Sequence, residues 1–529
     1  MLKRDPVDIV IVGSGMGGSA FAWRIKQQMP GLRVVCLERG GFLGAKDMPA
    51  LQPDWQSLAA GQWSPSPNLR LASGGNKWSR DYRIDDQDSP VKPLMWSGVG
   101  GSTVNWAAHF PRLKPSDFRT WSDDGVGDDW PFDYRTLGPY YDLNDEMMGV
   151  SGLAGDPSYP RKPHRDMPPL TLGRMGRHAA LAFNRLDWHW WPADAAILTT
   201  PRAGRGACNH CGPCQQGCFI RAKASTDVTY WPAAIDMGVE LRCFSTVTGI
   251  RVERGQARSV VYRDDNGADC EQPASVVVVA GNGIGTVRLL LASGLGHGEA
   301  DPLGRHLMFH PVAYVRGVIP HDLDGPAGPI GNSIYSHEFY ETDRARGFVR
   351  GIHLQITREN PLLAQAQRQT PPWGKAAQRG VAEEFRHTIA FMIMPEDLPE
   401  PSNRVSITGE IDADGLPVPR IDYTISENTR KMVAFGYDRA REFFEAAGAT
   451  RIVDAPFPPY TGWHLLGTAR MGTDPASSVV DAAGRMHRAS NIIIADGSVM
   501  TTVGAVNPAS TIGAIALKFA DDLSREWRP

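Results

Sequence analysis

Four of the seven cysteines of this chain fall in one short run, Cys208-Asn209-His210-Cys211-Gly212-Pro213-Cys214-Gln215-Gln216-Gly217-Cys218. Thiolates are soft ligands, and at this C-x2-C-x2-C-x3-C spacing the intervening glycine turns let successive sulfurs face one centre. Three chemistries can use such a run. A structural zinc site takes four thiolates, but usually as two pairs across a longer loop. A redox disulfide needs only two of the four. An iron–sulfur cluster takes three or four, and this is the chemistry the spacing favours. The ferredoxin form of the spacing continues into proline and serves two clusters; here Phe219 follows, and there is no second cysteine group. Cys36, Cys243 and Cys270 sit in or near apolar runs and read as ordinary buried thiols, with no disulfide framework expected.

The elements around this run suggest a bound dinucleotide. Val7 to Val12 is a β-branched strand leading into Gly13-Ser14-Gly15-Met16-Gly17-Gly18 and then a helix-like Ser19 to Ile25. A second strand, Arg33 to Leu37, ends in Glu38. In such a unit Gly13 makes the turn, Gly15 lets backbone approach a pyrophosphate, and Gly18 lets helix pack on strand. The helix N-terminus faces the phosphates, and Glu38 can accept hydrogen bonds from a ribose. NAD and FAD both use this fingerprint. A second turn, Gly98 to Trp106, carries Gly100, Gly101, Ser102 and Asn105, which can bring backbone N–H groups and an amide against a phosphate or ring edge. A third follows the strand Ser275 to Ala280, and a last strand, Asn491 to Ala495, ends in Asp496, which can bind a cofactor hydroxyl or phosphate network.

A length of 529 residues implies more than one compact unit, and the 42% hydrophobic content is ordinary for a globular protein. The net charge of −3 gives no reason to expect a nucleic-acid partner. No apolar stretch is long enough to span a membrane, so membrane association is expected only through a partner. The N-terminal residues show no apolar signal region, so no export signal of the chain's own is expected.

The order of these motifs resembles the glucose–methanol–choline (GMC) family of FAD-dependent oxidoreductases. The matching stretches are Gly13 to Gly18 with Glu38, Gly98 to Asn105, Ala280 to Thr286, Gly304 to Pro311, His464 to Gly472 and Val506 to Ile512. The resemblance implies an α/β fold: a doubly wound, Rossmann-like FAD-binding domain built from discontinuous segments (1–150, 207–311 and 456–529, with the iron–sulfur loop at 208–218). An α+β substrate domain with an antiparallel sheet (151–206 and 312–455) accompanies it. It implies His464 as catalytic base, with Asn507 as partner where many members carry a second histidine. Histidine suits the task, because oxidising an alcohol requires a proton acceptor near neutral pH while hydride leaves for the flavin. An amide can hold the substrate oxygen.

Within the family the nearest resemblance is to the large subunits of bacterial FAD/iron–sulfur sugar and polyol dehydrogenases. These carry a three-iron cluster on ligands that land here on Cys208, Cys214 and Cys218; Cys211 is then extra and could complete a four-iron cluster. Their partners imply a small chaperone-like subunit, which carries the export signal, and a cytochrome c acceptor. The expected compartment is the periplasm by co-export, with the cytoplasm as alternative. Two other functions fit the residues: an FAD alcohol oxidase using oxygen with structural cysteines, and a non-catalytic electron-transfer subunit. His109, His210 and His310 read as structural, Gly347 to Ile356 as a strand, and Ala364 to Arg379 as a surface loop or plain connection. Trp188, Trp190 and Trp191 suit sugar stacking or core packing equally.

Overall fold

The computed structural model describes all residues except 164, 297, 299, 326, 332, 359–372, 456 and 528–529. At its centre lies Val7–Val12, a strand of β-branched and apolar residues buried on both faces as parallel strands require. It pairs in parallel with Val34–Leu37 on one side and with the C-terminal half of Asp269–Val279 on the other. Glu240–Arg242 extends the sheet beyond Val34–Leu37, and Ala489–Ile494 extends it beyond Asp269–Val279, both in parallel. The N-terminal half of Asp269–Val279 belongs to an antiparallel meander with Thr246–Glu253 and Gln256–Arg263. Helices Met16–Gln28 and Ala509–Glu526 pack on each other against this sheet. Chain segments far apart in sequence thus build one doubly wound unit.

A second sheet is antiparallel, in the order Arg451–Ala455, Ala313–Val318, Thr388–Pro395, Ile352–Arg358, Ile334–Ser336, Trp191–Pro192. Its two faces differ, because successive residues of a strand point opposite ways. Val315, Ile356, Phe391 and Ile393 face a core closed by helices Gly173–Arg185 and Glu427–Ala446 through Phe183, Met432 and Phe443. Tyr314, Gln355, Thr357, Met392 and Met394, on the alternate positions, face a cavity.

Two expectations need correction. The strand expected over 347–356 begins only at Ile352, because Gly347 and Arg350 both hold positive φ (+76° and +63°) and bend the chain. Of the stretch 364–379, residues 364–372 lie outside the described residues, whereas Lys375–Glu384 is a helix rather than a loop. The three tryptophans are packing groups: Trp188 meets Phe339 edge-on at 4.9 Å, and the Nε1 groups of Trp190 and Trp191 donate to Asn184 and Leu153.

The bend at Arg350 places a fully buried guanidinium among three carboxylates. It donates to Asp117, to Asp124 at 3.0 Å and to Glu396 at 2.7 Å. Removing one partner of such a group leaves buried charge uncompensated, at about 3–5 kcal/mol. Arg350→Met should therefore lower the denaturation midpoint strongly in a urea titration followed by fluorescence; an unchanged midpoint contradicts this account.

Candidate active site

The glycine turns meet around one cavity of about 520 Å³. Gly13 holds φ +98°, and a Cβ there would sit 2.4 Å from the carbonyl oxygen of Ala280, so the first turn is pressed against the third. A Cβ on Gly17 would collide with Ala495 O and one on Gly18 with Gly13 O, which locks the helix onto its strand. Gly15 differs: its nearest neighbour would be Gly101 Cα at 3.8 Å, an ordinary contact. Its missing side chain leaves space toward the cavity rather than relieving a clash within the protein.

The acids expected to touch a cofactor have protein partners as well. Glu38 lines the cavity and accepts from Ser14 N (2.9 Å), Ser14 Oγ (2.6 Å) and Gly40 N (3.0 Å). Asp496 also lines it, accepting from Asn282 N and Thr286 Oγ1 on one oxygen and from Ser498 N and Oγ on the other. It clamps the third turn to the end of the last strand, and burial pushes its carboxyl upward. Gly101 and Ser102 line the cavity, and Ser102 Oγ accepts from Trp96 N at 3.3 Å. Gly100 backs onto Val104 and Asp227 instead. Asn105 is buried with both amide atoms unpartnered and does not line the cavity.

His464 and Asn507 come together on the wall of this cavity, with Asn507 Nδ2 3.4 Å from His464 Nε2 and Asn507 Oδ1 without a partner. Sequence reasoning missed a third member. His310, expected to be structural, places its Nδ1 2.8 Å from His464 Nδ1 and its Nε2 2.6 Å from Gly504 O. The only sequence signal was its place in the matching stretch Gly304 to Pro311. Burial holds His464 well below the ordinary histidine range, helped by His310, and lowers His310 to about 4.

The four clustered cysteines lie beside the same cavity. Gln215, within the run, is a lining residue, and so is Ile330, whose backbone N–H faces the Cys214 sulfur. Backbone N–H groups also face the sulfurs of Cys208 and Cys211, and Lys223 N donates to Cys218 Sγ at 3.4 Å. Such donors suit thiolate ligands of a cluster. Burial raises Cys208 and Cys211, and raises Cys214 to about 12, and in each case neighbouring cysteines add to the shift. Cys211 is the exposed member. Among the described residues no three such side chains stand in a ligating arrangement.

A glycine-lined cavity beside a parallel sheet, with a buried histidine on its wall, is the arrangement of a dinucleotide-dependent oxidoreductase. Residues 197–312 and 399–516 match the GMC oxidoreductase family, and residues 11–46 match an NAD(P)-binding Rossmann-like domain. The chain is 37% identical over 540 residues to 2-methyl-1,2-propanediol dehydrogenase of Mycolicibacterium austroafricanum, covering 99% of this chain and 96% of that one. It is 28% identical over 543 residues to the fructose dehydrogenase large subunit of Gluconobacter japonicus, covering 98% of each. In architecture it is similar to pyridoxine 4-oxidase from Mesorbium loti, with a TM-score of 0.70 at 19% identity, covering 99% of this chain and 100% of that one. The chain belongs to the GMC oxidoreductase family. It is an FAD-dependent oxidoreductase acting on the CH–OH group of alcohols or sugars.

The residues fit FAD: the open side of Gly15, the Met16–Gln28 helix N-terminus and the Glu38 and Asp496 carboxylates all converge on the cavity. Gly15→Ala should then fold with stability within about 1 kcal/mol of the parent, as expected for a site free of clashes, yet purify with much less FAD. Full FAD content in that variant contradicts the assignment.

Proposed function

We propose that this enzyme oxidises a hydroxyl of a sugar, polyol or other alcohol with His464 as base. In this reading Cys208, Cys214 and Cys218 would hold an iron–sulfur cluster, with Cys211 available as a fourth ligand, and that cluster would supply a one-electron exit. FAD supplies the hydride acceptor when bound, and the cluster supplies a one-electron carrier. His464 Nε2 takes the hydroxyl proton, and Asn507 holds the substrate oxygen so that the carbinol carbon stays oriented. Glu38, Asp496 and the turns at Gly13, Gly15, Gly101 and Ser102 hold the cofactor, with Gly18, Gly100, Asn105 and Ala280 shaping the turns around it.

One observation carries the electron exit: the cysteine run and His464 border the same cavity, through Gln215 and through Ile330 against Cys214. The exposure of Cys211 favours a three-iron cluster on the other three cysteines, with Cys211 the fourth ligand of a four-iron form. The acceptor in this reading is a cytochrome c subunit, accompanied by a small chaperone-like subunit. Export with that partner puts the enzyme in the periplasm, the cytoplasm being the alternative. The cofactor unit comprises 1–150, 207–311 and 456–529, and the substrate unit 151–206 and 312–455.

Iron and acid-labile sulfide analysis of anaerobically purified protein should find about three or four irons and about four sulfides per chain, as such clusters require. Absence of both, with hydrogen peroxide formed as fast as substrate is consumed, establishes the oxygen-using oxidase instead. Across an alcohol panel, His464→Ala should slow flavin bleaching about 10²–10⁴-fold, the usual worth of a general base; full activity removes His464 from the mechanism. The base works only when neutral, and its folded pKa lies below the ordinary value of about 6.5. Activity is therefore full above that value and persists as pH falls below it, until the depressed folded pKa is reached. A kcat/KM profile with its acid limb at or above about 6.5 contradicts the assignment.

A further inference from the structure

We infer that His310 is a positioning residue that fixes the ring tautomer of His464, so that an unprotonated Nε2 meets the substrate hydroxyl; this rests on reading His464 as the base. Gly504 O can only accept, so the hydrogen in its 2.6 Å contact belongs to His310 Nε2. A neutral His310 then has its lone pair on Nδ1. The 2.8 Å contact between the two Nδ1 atoms therefore takes its hydrogen from His464. Neutral His464, carrying its hydrogen on Nδ1, presents the lone pair of Nε2 to Asn507 and the cavity. The reverse assignment needs His310 protonated on both nitrogens. That would be a cation on a fully buried ring whose hydrogen-bonded neighbours are a carbonyl and another imidazole, a costly arrangement.

The backbone holds the two partners of this chain in place. His310 holds φ +63° directly before Pro311, an uncommon conformation for a residue that precedes proline. Its carbonyl partner is equally constrained. Gly504 holds φ +57°, and a Cβ there would lie 2.7 Å from both Asp117 Oδ2 and Tyr340 Oη. The next residue, Ala505, donates its N–H to Tyr340 Oη at 3.1 Å, and that hydroxyl donates to Asp117 at 2.8 Å. Two residues beyond Ala505 the same segment supplies Asn507. One rigid stretch thus fixes both the far end of the histidine pair and the amide at its near end.

During turnover the substrate O–H bond breaks and a bond from that hydrogen to His464 Nε2 forms. The positive charge then rests on a ring whose Nδ1–H already points at His310 Nδ1. His310 therefore directs the base before the reaction and receives its stronger hydrogen bond after it.

Three measurements on the FAD-loaded enzyme test this. In 15N-histidine-labelled wild type, long-range proton–nitrogen correlations should show hydrogen on His464 Nδ1 and His310 Nε2; hydrogen on His464 Nε2 in the resting enzyme overturns the inference. His310→Gly keeps the backbone conformation and deletes the ring. It should lower the flavin-reduction rate about 10²-fold, toward the lower end of general-base worth, leave KM within about threefold, and recover with added imidazole. His310→Asn tolerates positive φ and keeps an acceptor toward His464, so it should stay within about tenfold of wild type. A His310→Gly rate equal to wild type, or equal loss in both variants with FAD retained and no imidazole rescue, makes His310 merely structural. If His310→Gly fails to fold, the wild-type signals and His310→Asn still decide. An active His464→Ala enzyme would instead remove the underlying reading of the base.

Discussion

A buried cation must be paired, and the pairing of Arg350 anchors the segment that carries Gly504 and Asn507. Its guanidinium meets Asp117, Asp124 and Glu396 in a region closed to water. Asp117 is held in turn by Tyr340, and Tyr340 by the backbone of Ala505. Gly504 fits against this group with no space for a side chain. From there the carbonyl of Gly504 reaches His310, His310 reaches His464, and His464 reaches Asn507. An electrostatic requirement of the interior becomes, through five contacts, the direction of one lone pair.

The two sheets meet this segment from different sides and with different chemistry. The parallel sheet offers strand ends, glycine turns and helix N-termini, which suit phosphates and a planar cofactor. The antiparallel sheet offers alternate side chains: Tyr314, Gln355, Thr357, Met392 and Met394 face the cavity, while Phe391 and its neighbours face the opposite core. Both sheets thus contribute walls to the one cavity.

Much of the cofactor unit was legible in the sequence because its signals are local. A strand, a glycine turn and a helix follow one another within some thirty residues, and Glu38 ends the next strand. The contributions of Gly13 and Gly18 follow from the same spacing. The fate of Gly100 and Asn105 was not legible: both sit in a glycine-rich turn, but in the fold Gly100 backs onto Asp227 and Val104 and Asn105 is buried away from the cavity. His310 was misjudged for a related reason. It lies 154 positions from His464, and only the fold brings their rings within 2.8 Å. The Arg350 cluster was invisible too, since nothing in sequence distinguishes an arginine that bends inward from one that faces solvent. The cysteine run gave its spacing at once, while its position beside the flavin cavity came only with the fold.

The central claim is geometric: cofactor and base share one cavity, and the cysteine run borders it through Gln215. A crystal structure of the FAD-loaded enzyme tests it most directly. The account predicts the isoalloxazine ring inside the cavity, its N5 on the side of His464 Nε2 and Asn507, with the cysteine loop bordering the same chamber. A flavin ring seated away from His464, or facing it across a wall that excludes Asn507, would contradict it.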